Sequence, residues 1–120
     1  MSKKIIIAGS RIIPDKEVVW SDLEFRVGIY GGLDQIEVVG GLAKGADQIG
    51  KEFADYYGFP FSGFPANWDL HGKSAGYIRN KEMSEYADEL IAYWDGKSNG
   101  TKNMIALMGI ARKPTTIIYV

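Results

Sequence analysis

The chain has 120 residues, 46% of them hydrophobic, which is material for one ordinary core and so for one domain spanning residues 1–120. Its net charge of -1 supplies no global field for holding nucleic acid, and the absence of cysteine excludes a disulfide framework, a zinc–cysteine site and a thiolate nucleophile. The five-residue apolar run in MSKKIIIAGS is too short for a signal segment or a membrane span, so a cytoplasmic protein without a membrane partner is expected.

Short apolar runs alternate with amphipathic stretches along the chain. A first strand is predicted at residues 4–8, followed by a helix on which Val19, Leu23, Val27 and Tyr30 recur at helical spacing behind Pro14 and Asp15, stopped by Gly31 and Gly32. A second strand at 36–39 leads to a helix over 45–57 that buries Ala46, Ile49, Phe53 and Tyr57 and ends at Gly58. A weaker strand at 59–64 is followed by a long polar segment and a helix over 75–87. The strand at 90–94 precedes a helix over 101–112 with Met104, Leu107, Met108 and Ala111 on one face, and Arg112 and Lys113 suit its C-terminus. Residues 115–120 form the last strand. The alternation predicts right-handed crossovers and a single doubly wound, mostly parallel five-stranded α/β sheet with helices on both faces.

Ligands of such sheets bind beyond the carboxyl ends of the strands. Three loops there combine glycine with a cation: Gly9-Ser10-Arg11, then Gly40 and Gly41 through Lys44, Gly45 and Asp47, and finally Asp95-Gly96-Lys97-Ser98-Asn99-Gly100-Thr101. Glycine admits a close backbone approach, and the N–H groups that open the next helix favour an anion, so phosphate is the expected ligand group; tight strand-to-helix turns are the plainer explanation. Neither a Walker pattern nor a complete GxGxxG is present. In the long segment after the third strand, Lys73 and Arg79 can reach the sheet edge, and Trp68 either stacks on a base or packs internally. The lone histidine, His71, reads as a surface residue, and no metal site is expected. Asp47 falls in the first turn of a helix, where its charge is favourable anyway, and Asp95 suits either a ribose hydroxyl or a turn.

Four segments, IIIAGSR, VVGGLAKGAD, FPANWDLHGKSAGYIRNKEM and IAYWDGKSNGTKNMI, together resemble the small SLOG proteins related to YspA, over nearly the whole chain. The resemblance implies a Rossmann-like domain of the superfamily that includes cytokinin-activating phosphoribohydrolases, the DNA-processing protein DprA and sensors of ADP-ribose-type signals. It carries over as site residues Gly9, Ser10 and Arg11; Gly40, Gly41, Gly45 and Asp47; Arg79 and Asn80; and Gly96, Ser98, Gly100 and Thr101. The hydrolase branch resembles PGGxGTxxE, whereas Met104 stands here at the glutamate position, and a thioether cannot act as general acid or base.

The expected function is therefore binding of a nucleotide or nucleotide-derived signalling ligand, of ADP-ribose or cyclic-nucleotide type, by a sensor, carrier or sequestering protein without a cofactor. The alternatives are a nucleotide N-glycosidase that uses Asp47 or Asp95, and a single-stranded nucleic-acid binder drawing on Lys44, Lys73, Arg79, Lys97 and Lys102, which the balanced charge opposes. A homo-oligomer is a further expectation, with Trp20 as an interface residue.

Overall fold

The structure, a computed structural model, describes residues 3–28 and 35–120. Five strands, β1 (Lys3–Gly9), β2 (Ile36–Gly40), β3 (Phe61–Gly63), β4 (Glu89–Trp94) and β5 (Thr115–Tyr119), form one sheet in the order β3-β2-β1-β4-β5, and all four pairings are parallel. The helices are α1 (Lys16–Gly28), α2 (Ala46–Tyr57), α3 (Trp68–His71), α4 (Ala75–Tyr86) and α5 (Asn99–Ile110), with a 3₁₀ turn at Gly72–Ser74 between α3 and α4. The predicted Rossmann-like architecture is what the chain adopts. No helix among the described residues is long and apolar enough to cross a membrane.

Side chains of a strand alternate between sheet faces, and the buried residues sort accordingly. Ile5, Ile7, Val38, Ile91 and Tyr93 meet Val19, Leu23, Ile49 and Phe53 from α1 and α2 on one face. Ile6, Ala8, Val39, Leu90 and Ala92 meet Met83, Met104 and Met108 from α4 and α5 on the other. Continuous apolar strands are thus the direct consequence of a sheet covered twice.

Local signals explain most helix ends. Asp15 accepts from the Glu17 N–H at 3.0 Å and caps α1, while Gly58, at φ 74°, closes α2 through a bond from its N–H to the Ala54 carbonyl. The predicted contribution of Tyr30 and the stop at Gly31 and Gly32 lie outside the described residues. The third strand is shorter than predicted because Phe59 turns into the core and its N–H bonds the Ala54 carbonyl. Lys113 closes its own helix through the backbone, its N–H bonding the Met108 carbonyl at 3.0 Å, while its ammonium reaches the carbonyls of Ser84 and Ala87, both at 2.7 Å, and ties off the end of α4. Trp20 packs edge-on against Phe53 and Tyr56 of its own chain, at 5.1 and 5.6 Å, so much of its ring is taken up internally.

One buried phenol pins α1 to the sheet. The Tyr93 hydroxyl donates to Asp22 Oδ2 at 2.8 Å, and the same oxygen accepts from Arg26 Nε at 2.6 Å. Burial and this carboxylate together push the phenol's pKa well up. Tyr93→Phe leaves the ion pair intact and removes one charge-assisted bond, so a loss of about 1.5–2 kcal/mol is expected. Urea denaturation checks it: a lower midpoint at unchanged slope is the expected result, and an unmoved midpoint would deny the bond any net contribution.

Candidate functional site

β1 feeds β2 on one side of the sheet, and the chain later crosses to place β4 on the other, so the loops after β1 and β4 diverge. A cleft of about 370 Å³ opens there. Gly9, Arg11 and Ile12 line it after β1, Ala43 and Asp47 after β2, Arg79, Asn80 and Met83 from α4, and Asp95, Ser98, Asn99, Gly100, Thr101 and Met104 around the start of α5.

The β1 loop is fixed by backbone rather than by ligand-seeking side chains. Ser10 is buried; its N–H bonds the Tyr93 carbonyl at 2.8 Å, its carbonyl accepts from the Ala46 N–H at 3.1 Å, and its hydroxyl accepts from the Asp95 N–H at 2.9 Å. It therefore staples three loops together instead of lining the cleft. Gly45, at φ 76°, packs directly on this loop: a Cβ there would stand 2.5 Å from both the carbonyl carbon and the oxygen of Arg11. Arg11 is exposed, and no hydrogen bond or ion pair holds its guanidinium among the described residues.

Beside the β2 loop, the buried carboxylate of Asp47 on α2 and the guanidinium of Arg79 on α4 both lie against Gly41. Burial raises the pKa of Asp47, while the Ala43 N–H (3.3 Å), the Arg79 charge, the Gly41 N–H and Arg11 pull it down. Arg79 is half-buried; burial lowers its pKa, opposed by Asp47. Both shifts share one cause, a low-dielectric neighbourhood that penalises either charge alone. Arg79 Nη1 donates to the Gly41 carbonyl and, at 3.4 Å, to that of Phe64; Nε donates to Asn80 Oδ1 at 3.1 Å. A Cβ on Gly41 would lie 2.8 Å from Arg79 Cζ and 2.9 Å from Asp47 Oδ2, so only glycine leaves this pair room. Asn80 spends its amide on the Gly100 carbonyl (3.1 Å) and Asn103 Oδ1 (3.0 Å), locking α4 to α5.

The β4 loop is organised by Asp95. Its Oδ1 accepts from the N–H groups of Lys97 and Ser98, both at 2.8 Å, and from the Ser98 hydroxyl at 3.0 Å. The backbone bonds from Ser98 and Lys97 lower its pKa to about 2. Because Ser98 gives its side chain to Asp95, it places no side-chain cap on α5, and the first-turn N–H groups of that helix have no partner within the helix.

Of the residues singled out from the sequence, Gly9, Arg11, Asp47, Arg79, Asn80, Asp95, Ser98, Gly100 and Thr101 share the cleft. Gly40, Gly41, Lys44 and Gly45 form the adjoining loop, and Gly96 faces Tyr119 with its missing Cβ 3.8 Å from that ring. Trp68 and Lys73 do not line the cleft, and both are exposed. Ile12, Ala43, Met83 and Asn99 were not anticipated. Met83 was legible, since a helix that presents Arg79 and Asn80 presents the residue three or four positions on; Ile12 and Ala43 carry no periodic signal. Among the described residues no group of three or more His, Cys, Asp or Glu could hold a metal ion.

A parallel five-stranded sheet with glycine-bearing loops opening at its switch point defines a Rossmann-like α/β protein. The chain belongs to the family described as "YspA, cpYpsA-related SLOG family", whose sequence model matches residues 3–71 and so contains the loops after β1 and β2. It is similar to the Gene 61 protein of Mycobacterium phage D29, at 37% identity over 111 residues covering 84% of each chain. The X-ray structure of DNA processing protein A (DprA) from Streptococcus pneumoniae shares the fold, with a TM-score of 0.73 over 97% of this chain at 15% identity; the present chain spans 50% of that one.

Proposed function

We propose that the protein binds a phosphorylated nucleotide-derived ligand in the switch-point cleft, as a sensor, carrier or sequestering protein. The observation that carries this reading is the meeting, across a cleft of about 370 Å³, of an Arg11 guanidinium held by no hydrogen bond or ion pair among the described residues with the uncapped first turn of α5. Free N–H groups at a helix start and a guanidinium both seek anionic oxygens. SLOG membership supports a nucleotide as the bearer of that anion. Calorimetry with nucleoside monophosphates against the matching nucleosides tests it, with the phosphorylated member expected to bind about tenfold or more tightly. Arg11→Ala should lower that affinity while leaving the melting temperature nearly unchanged, because no hydrogen bond or ion pair of the fold runs through its side chain and its charge acts on Asp47 only at a distance. Equal affinity within each pair would remove the phosphate from the proposal.

One observation favours a second reading, N-glycosidic hydrolysis. Asp47 lines the same cleft with a pKa raised by burial, and a carboxyl shifted upward in a cleft is the kind of group that serves general acid–base chemistry. Asp95 is a poor general acid, since its turn holds it ionised. Chromatographic detection of free base after incubation with nucleoside monophosphates or NAD, abolished in Asp47→Asn, would promote the enzyme; no released base would retire it.

A further inference from the structure

Trp68 stands on α3, 52% exposed, and belongs to neither core. Its backbone is nonetheless held: Asn67 Oδ1 accepts from the Leu70 N–H at 3.1 Å, and the Gly72 N–H bonds the Trp68 carbonyl. The residue lines a second cleft of about 350 Å³ with Pro65, Ala66, Asn67 and Asp69. Two contacts join this cleft to the first. Arg79, which lines the first cleft, donates to the carbonyl of Phe64, the residue directly before Pro65. A Cβ on Gly76 would lie 3.5 Å from the indole Cη2 and 3.9 Å from Arg79 Nη2, in ordinary contact with both, so ring and guanidinium flank the same point on α4. Nη2 is also the Arg79 nitrogen that no acceptor takes among the described residues.

We infer that the ligand is two-headed: a nucleotide whose phosphate bridge passes Arg79 Nη2 and carries a second planar ring onto the face of Trp68. The inference rests on the nucleotide-binding reading above and adds to it the class of ligand. A mononucleotide would occupy the first cleft alone and leave the second empty. An indole face stacks on any heterocycle, so it adds affinity without choosing the base.

The test compares AMP with diadenosine diphosphate, and GMP with diguanosine diphosphate, on the whole chain by calorimetry and by tryptophan fluorescence. The two-headed member of at least one pair is expected to bind about tenfold or more tightly than its monophosphate and to quench fluorescence, since one stacked base is worth that factor. Trp68→Ala should erase the margin and Trp68→Phe keep most of it. Equal affinity within both pairs, or a margin that survives Trp68→Ala, overturns the second-ring assignment and leaves nucleotide binding standing. Failure of all four probes to bind overturns both. Displacement of the bound probe by an equal concentration of a single-stranded oligonucleotide would overturn the small-ligand assignment in favour of a strand.

Discussion

Gly45→Ala is expected to lower stability by about 3 kcal/mol, combining a strained backbone with overpacking against an unyielding neighbour. Gly45 takes φ 76°, and the added Cβ would press on Arg11 backbone atoms at 2.5 Å as well as on the Ser10 carbonyl. Neither partner can step aside, because the Ser10 carbonyl accepts from the Ala46 N–H and the Ser10 N–H bonds the Tyr93 carbonyl. Gly58→Ala is the internal control. It shares the positive φ, 74°, but its ψ of 24° puts it in the left-handed region that other residues can enter, whereas Gly45 has ψ -126°, and nothing stands within 4 Å of its Cβ, so only a left-handed backbone cost of about 1 kcal/mol applies. Urea midpoints for the two variants separate the effects, and equal losses would show that the contact between Gly45 and the β1 loop contributes nothing. Ligand affinity should fall in Gly45→Ala as well, since the displaced loop carries Arg11.

The inner sheet was legible because β1 and β4 are buried on both faces and so carry unbroken apolar runs; Ile5, Ile6 and Ile7 alternate between two cores without any polar interruption. α3 escaped because its four residues bury no side chain, and so leave no periodicity. The loops of the cleft were legible as glycine-rich punctuation, but the division of labour within them was not. Ser10, Asn80 and Asp95 look in sequence like three ligand contacts. The structure turns Ser10 and Asn80 into staples between elements and gives much of the Asp95 carboxylate to its own turn, pairings set by residues 85, 20 and 3 positions away. The partners of Ser10 and Asn80 lie beyond any local window, and the turn around Asp95 was open to a local reading that spacing alone did not choose, so residue type and spacing identify where the cleft forms and not which side chains remain unspent within it.

Arg79→Ala is expected to cost about 2–3 kcal/mol at pH 7, through lost charge-assisted bonds and an uncompensated buried charge, and clearly less at pH 4. A solvated helix arginine that served only a ligand would leave folding nearly unaffected, but here Nε and Nη1 are bonded to Asn80 and to the Gly41 and Phe64 carbonyls. Burial raises the pKa of Asp47 above its ordinary 3.8, so the folded chain keeps that proton to higher pH than the unfolded chain does. The associated stability is complete below pH 3.8 and is lost as pH rises through the folded value. Removing Arg79 takes away the positive charge that acts most strongly on Asp47, raises that pKa further and steepens the loss. Asp47→Asn abolishes the slope, since its amide oxygen still accepts from Ala43 and carries no charge to desolvate. Unfolding at pH 4, 5.5 and 7 for the two single variants and the double variant reads the coupling directly, with Arg79→Ala costing less in the Asp47→Asn background. An Arg79→Ala loss that is the same at all three pH values and in both backgrounds would show that the guanidinium acts only through its carbonyl and amide acceptors and that the pair has no electrostatic coupling.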